Sequence, residues 1–154
     1  MTKSPSKQLT AKRRTSLAAE IHALAEVCVA HATVEEIDTL NILRASHLAM
    51  VRAVEGLENQ PDHVLIDGNL VPRGLLISAE TIVKGDARSL SIAAASIVAK
   101  VARDRIMVDL AQQFPGYGWE QNAGYPTERH KLAILDLGIT PHHRRSFRPV
   151  YNML

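Results

Sequence analysis

The sequence predicts an α/β protein, and three observations carry that prediction. An apolar run, His63–Asp67 (HVLID), stops on an acidic residue beside a glycine, which is the pattern of a buried strand. A second run, LLISAETIVKGD from Leu75 to Asp86, does the same. Around both lie longer segments of helical periodicity, in the order helix, strand, helix, strand, strand, helix.

The elements follow from the residues in turn. Thr10 is placed to cap a helix whose apolar positions Leu17, Ile21, Leu24 and Cys28 recur on one face. Residues Glu26–Thr33 (EVCVAHAT) alternate well enough to predict a short strand. TVEE, Thr33–Glu36, is a capping box, and a second helix is expected from Asn41 to Gly56, with Ile42, Leu43, Leu48, Val51 and Val54 on its apolar side. NQPD, Asn59–Asp62, is a turn before HVLID, whose near absence of polar alternation suits a sheet covered on both faces. LLISAETIVKGD supplies one strand or two short ones. The strongest helix runs from Ser91 to about Phe114, and its small residues Ala94, Ala95 and Ser96 predict close approach of another backbone, that of the sheet. FPGYGWEQNAGYPT is a glycine- and aromatic-rich loop; Thr127 caps a short helix that Gly138 ends.

The 154 residues, 46% of them hydrophobic, fit one domain spanning 1–154. No run of about 18 apolar residues is present to cross a bilayer, and the charged start MTKSPSKQLTAKRR is unlike a signal peptide, so the expectation is a soluble, cytoplasmic protein without a membrane partner. The single cysteine, Cys28, excludes an intrachain disulfide framework and is expected in the core. A net charge of +2 does not by itself mark a polyanion-binding protein. Its distribution is uneven, with Lys3, Lys7, Lys12, Arg13 and Arg14 near the start and HHRRSFR, His142–Arg148, near the end.

The two strand-end aspartates, Asp67 and Asp86, raise a chemical question. Directed into one site they repel unless a cation lies between them, and hard divalent ions prefer carboxylate oxygens. An Asp-Gly at a strand end is equally the chemistry of a turn.

LIDGN, VKGDARSLSIAAASIVAKVARDR, GYPTERH and PHHRRSF occur in this order from Leu65 to Phe147, and SKQLTAKRR and EEIDTLNILRASHLAMVRAV precede them. This series resembles the bacterial ribonuclease HII family over nearly the whole chain. The resemblance implies an RNase H-like mixed sheet flanked by helices, and an endonuclease that cuts the RNA strand of RNA–DNA hybrids, including single ribonucleotides embedded in DNA. It implies four carboxylates holding Mn²⁺ or Mg²⁺, of which Asp67 and Asp86 are two, and hydrolysis assisted by two ions about 3.5–4 Å apart. Tyr125 matches the tyrosine that packs on the sugar at the RNA-to-DNA junction; as a loop aromatic it has the alternative of packing on the core. Lys84 is placed to neutralise carboxylate or phosphate charge, or to stand in solvent. Ser6, Lys7, Ser96 and Lys100 are matched to contacts with DNA phosphates, for which hydroxyls and ammonium groups are suited. For Ser96 packing is the alternative. Asp104 in ARDR is expected to be a structural helix residue paired with an arginine, with metal ligation as the alternative, and the adjacent His142 and His143 to pack or to touch substrate, since neighbouring histidines seldom chelate one ion together.

The family pattern also includes an Asp-Glu pair and a Gly-Arg-Gly on N-terminal strands, and neither tripeptide nor dipeptide occurs in these 154 residues. The expectation is a chain lacking those strands and two metal ligands, monomeric if complete. Two further readings stand beside the enzyme: an inactive remnant that only binds nucleic acid, and an unrelated metal-binding module, which leaves the ordered motifs unexplained.

Overall fold

A computed structural model describes residues 9–152 of the chain. Helix α1 (Ala11–Leu24) begins where expected, the Thr10 hydroxyl accepting from the Arg13 N–H at 3.2 Å. It ends before Cys28, which is half-buried rather than in the core, with its Sγ seated where a Cβ on Gly56 would fall. The strand expected over Glu26–Thr33 does not form. A strand needs a neighbour for its N–H and C=O groups, and residues 26–33 run as an irregular connection with no ladder partner among the described residues. The Glu26 carboxylate instead caps the turn near Asn59, accepting from the Asn59 side chain at 2.9 Å and from the Glu58 backbone.

Helix α2 (Val34–Leu40) carries the full capping box, with Thr33 and Glu36 each bonding the other's backbone N–H. Asn41, at φ 71°, then breaks the helical run and caps α3 (Ile42–Glu55), its side chain accepting from Leu43 and Arg44. Asparagine tolerates positive φ better than most residues.

Strands β1 (His63–Asp67) and β2 (Ser78–Ile82) pair in parallel, from His63 opposite Ser78 to Asp67 opposite Ile82. The expectation of a sheet covered on both faces is not met. Only Ile66 of β1 is buried, and Leu65 is 37% exposed, because two paired strands offer too little surface to be a covered layer and the helices bury their apolar sides elsewhere. Helix α4 (Leu90–Gln113) shows where. Its Ile97, Val98 and Val101 pack with Ala18 of α1, joined by Leu17, Ile21 and Val27. The small residues expected to admit a backbone do not do so: Ala95 is exposed and Ala94 and Ser96 are half-buried, since the larger neighbours gain more by burial.

The chain divides into two compact units. One comprises the described residues up to His31 with Ser46–Ala102, and holds the strand pair and the α1–α4 packing. The other comprises Ala32–Ala45 and the described residues from Arg103 on. It contains α5 (Trp119–Asn122), α6 (Glu128–Leu137) and α7 (Arg148–Tyr151). Thr127 caps α6 by accepting from His130 N–H, and Gly138 ends it at φ 78°, both as the sequence indicates. The core of this unit is aromatic, built from Tyr117, Trp119, Ile134 and Val150 with Phe114, Met107 and Phe147 around them.

Candidate functional site

Strand β1 delivers Asp67 to its exposed C-terminal end. There Oδ1 accepts the Gly85 backbone N–H at 2.8 Å, a charge-assisted bond that ties the carboxylate to the next segment of chain. Gly85–Ala87 is a single 3₁₀ turn, entered through Lys84 in the left-handed region at φ 56°. Asp86, half-buried, is the residue after the one that holds Asp67, so the two aspartates are linked through one peptide unit. Space at position 85 is tight. A Cβ there would lie 2.5 Å from Ile92 Cδ1, 3.3 Å from Asp67 Oδ1 and 3.4 Å from Ile82 Cβ. Lys84 is exposed.

The other sequence-predicted positions distribute as follows. Ser96 and Lys100 lie on α4, both half-buried, and the Ser96 hydroxyl donates to the Ala93 carbonyl at 2.8 Å. Asp104 is half-buried on the same helix. Ser6 and Lys7 lie outside the described residues. Tyr125 belongs to the second unit and is 55% exposed rather than tucked into the core, with the Arg103 guanidinium 5.9 Å from its ring centroid. Arg103 is itself fastened by a bond from Nη1 to the Ala123 carbonyl at 2.9 Å.

Beneath Tyr125 the structure reveals a polar centre that the sequence did not announce. The Trp119 indole N–H donates to His130 Nε2 at 3.0 Å, and His130 Nε2 lies 3.2 Å from His143 Nε2. His130 Nδ1 is 3.0 Å from the Tyr125 carbonyl, and His143 Nδ1 accepts the Thr140 backbone N–H at 3.0 Å. His130 and His143 are both buried. Burial, and next the adjacent His130, hold His143 down to about 4, so it is neutral at pH 7. His142, by contrast, is exposed with its ring edge-on to Phe114. Neither of the adjacent pair is set up to bind a metal with the other.

A second long-range contact fixes the basic HHRRSF segment. Asp38 accepts from the backbone N–H of Arg145 at 2.9 Å and of Ser146 at 3.0 Å, and from the Ser146 hydroxyl. Burial opposes its charge, but those bonds and the nearby Arg144 outweigh it and keep the carboxyl below its ordinary range. No local signal pairs Asp38 with Ser146, just as none pairs His130 with His143.

Asp67 and Asp86 are hard oxygen donors of the kind Mg²⁺ and Mn²⁺ take. One Asp67 oxygen is already oriented by an amide. Among the described residues, however, no three His, Cys, Asp or Glu side chains gather as a ligand group. The pair fits a divalent ion as part of a ligand set.

Of the two aspartates only Asp67 ends a strand; β2 stops at Ile82, and Asp86, expected at a strand end, lies instead in the 3₁₀ turn that follows. Fold and site thus define an α/β protein with one strand-end carboxylate beside a tight turn that carries a second. The sequence matches the family model for Ribonuclease HII over residues 4–151. Ribonuclease HII of Ruegeria sp. (strain TM1040) is 69% identical over 97% of this chain and 65% of its own length. That of Cereibacter sphaeroides (strain KD131 / KCTC 12085) is 70% identical over 97% of this chain and 70% of its own. The chain therefore spans about two thirds of the length of these curated relatives. The crystal structure of the ribonuclease H2 from Pyrococcus horikoshii OT3 has the same fold, with a TM-score of 0.76 at 24% identity, covering 97% of this chain and 79% of that one. The chain belongs to the ribonuclease HII family. No helix among the described residues is long and apolar enough to cross a membrane.

Proposed function

We propose that this chain is the greater part of a divalent-metal-dependent endonuclease that cuts the RNA strand of RNA–DNA hybrids, single ribonucleotides embedded in DNA included. Family membership supports the reaction class. The observation that carries the site assignment is the bond from the Gly85 amide to Asp67, which fixes one carboxylate beside the residue that bears the other.

Asp67 and Asp86 would hold Mn²⁺ or Mg²⁺. Divalent ions held by these carboxylates would supply activation of a water and stabilisation of the leaving 3′ oxygen in an in-line displacement at phosphorus. The protein's own part is orientation. The Gly85 amide holds Asp67 Oδ1, which leaves Oδ2 as the oxygen to offer a cation. Lys84, exposed at the start of the turn, places positive charge near a phosphate backbone. Tyr125, with Arg103 over its ring, offers a stacking surface for a sugar or base. Ser96, Lys100, Ser6 and Lys7 are assigned to phosphate contacts on the resemblance alone. The domain is read as a single one, acting as a monomer in the cytoplasm.

Two carboxylates are too few for two ions. The remaining ligands of the family pattern, an Asp-Glu pair, have no counterpart in the 154 residues. The 154-residue polypeptide alone is therefore expected to bind Mg²⁺ weakly and to leave a duplex with one embedded ribonucleotide uncut. A polypeptide extended by a strand carrying Asp-Glu and Gly-Arg-Gly is expected to cut it, and to lose roughly 10²–10³ in rate or more on Asp67→Asn. Metal-dependent cleavage by the extended form that survives Asp67→Asn overturns the assignment of Asp67.

Binding without cleavage is the alternative for the 154 residues alone, and the ordered basic segment around Arg144 and Arg145 favours some retained affinity. Such binding is electrostatic, so affinity for hybrid duplex should fall steeply with added salt. A flat salt dependence excludes it.

A further inference from the structure

The tautomers of the buried histidines are fixed by what each ring nitrogen faces. An indole N–H can only donate, so His130 Nε2, which Trp119 reaches at 3.0 Å, is the unprotonated nitrogen. The proton of His130 is then on Nδ1, where it faces the Tyr125 carbonyl at 3.0 Å, a group that can only accept. The same logic applies to His143. The Thr140 backbone N–H donates to its Nδ1, which leaves the proton on Nε2, directed at His130 Nε2 across 3.2 Å. Together they give a chain of donors running Thr140 N–H, His143, His130, Tyr125 carbonyl, in which the one lone pair of His130 Nε2 is shared between the Trp119 indole N–H and the His143 Nε2–H.

The Tyr125 backbone is held from two further sides. Its N–H donates to the Asn122 carbonyl at 2.8 Å, and its carbonyl also accepts from Thr127 N–H at 2.8 Å. Every one of these bonds is made by the Tyr125 backbone, while the residue as a whole is 55% exposed, with Arg103 over its ring. An exposed aromatic on a segment braced by a buried polar centre has a fixed position at little cost in order, because the loss of loop entropy is met by interior bonds.

We propose that His130 is a positioning residue for substrate recognition: in its Nδ1–H tautomer, set by Trp119 and His143, it anchors the Tyr125 carbonyl so that the Tyr125 ring stands ready to pack on a ribose. This inference rests on the reading of Tyr125 given above. It assigns no proton transfer to either histidine. At pH 7 His143 is neutral by burial.

The decisive contrast is His130→Asn against His130→Gln. An asparagine amide can donate from near the Nδ1 position and keep the Tyr125 carbonyl bond; a glutamine amide reaches toward the Nε2 position and gives it up. The readout is anisotropy of two labelled duplexes in EDTA, identical except that one carries a single ribonucleotide, bound to the full chain. His130→Gln is expected to lower the preference for the ribonucleotide duplex roughly three- to tenfold, the scale of one lost hydrogen bond, and to leave all-DNA affinity unchanged. His130→Asn should retain the preference. Tyr125→Ala should lower it as His130→Gln does, and the double variant should lose nothing more. Unchanged preference in a folded His130→Gln, or losses that add in the double variant, overturn the proposal. If Tyr125→Ala has no effect, the reading of Tyr125 fails, and amide exchange then judges the anchoring alone: Thr127 N–H should exchange faster in His130→Gln and recover in His130→Asn. If neither variant folds, the ¹⁵N ring shifts of the wild-type chain decide. His130 protonated on Nδ1 and His143 on Nε2 support the relay; His130 protonated on Nε2 overturns it.

Discussion

At the end of β1 one backbone amide, that of Gly85, holds the Asp67 carboxylate, whereas around Trp119 a buried set of rings and hydroxyls is bonded at nearly every polar atom. Trp119 is 2% exposed and stacks with Tyr117 at a centroid distance of 5.0 Å, and the Tyr117 hydroxyl donates to the Gly138 carbonyl at 2.9 Å. Burial pushes that hydroxyl's pKa up, as expected of a group committed to donating. The carboxylate turn, by contrast, has Asp67, Lys84 and Val83 in solvent and only Gly85 buried among residues 83–87. The difference is between a carboxylate turn open to solvent and an aromatic centre that excludes water.

The comparison is broken most severely at Trp119. Trp119→Ala empties the centre of the second unit and should cost about 3–5 kcal/mol of stability, measured by denaturant unfolding. A cost below about 1 kcal/mol would mean that the aromatic centre is not the support it is taken to be.

Gly85→Ala tests the turn, and here the expected loss is smaller in stability and larger in function. The new methyl meets Ile92 Cδ1, which can move, and the Asp67 carboxylate and Ile82, which have less room. Overpacking of this kind costs about 1–2 kcal/mol. Displacement of Asp67 should weaken Mn²⁺ binding in calorimetry by at least as large a factor as Asp86→Asn does. Wild-type Mn²⁺ affinity in a folded Gly85→Ala variant would show that the amide does not orient the carboxylate.

The pH dependence of stability sharpens the contrast further. His143 takes up a proton at about 4 in the folded protein and near 6.5 when unfolded. Between these values the unfolded chain binds more protons, so stability is complete above pH 6.5 and declines as pH falls toward 4. With allowance for solvent screening, thermal denaturation at pH 5 should reveal a loss of about 1 kcal/mol relative to pH 7. The loss should vanish in His143→Gln.

The smallest effect is expected in the first unit at Leu76, which is 96% exposed. Leu76→Ser should change stability by less than about 0.5 kcal/mol. A larger loss on unfolding would place Leu76 against a neighbour that the structure does not give it.

Sequence alone determined what depends on neighbours a few residues away. Thr10, Thr33 and Thr127 begin their helices because a side-chain oxygen reaches the N–H groups of the next turn. Gly138 ends α6, and HVLID forms a strand that stops on Asp67, whereas SAETI stops at Ile82 and leaves Asp86 to the following 3₁₀ turn. The ordered motifs around Asp67, Asp86 and Tyr125 likewise made the family legible. Tertiary structure decided what depends on partners distant along the chain. EVCVAHAT has a strand's alternation, yet it finds no ladder and remains irregular. Ala95 of α4 is exposed and Ala94 only half-buried, while Ile97, Val98 and Val101 have Ala18 to pack against. Most of all, His130 meets Trp119 and His143, and Asp38 meets Ser146, only after folding. A hydrogen bond depends on distance and direction in space, and over such separations the sequence encodes these only through the packing of the whole unit.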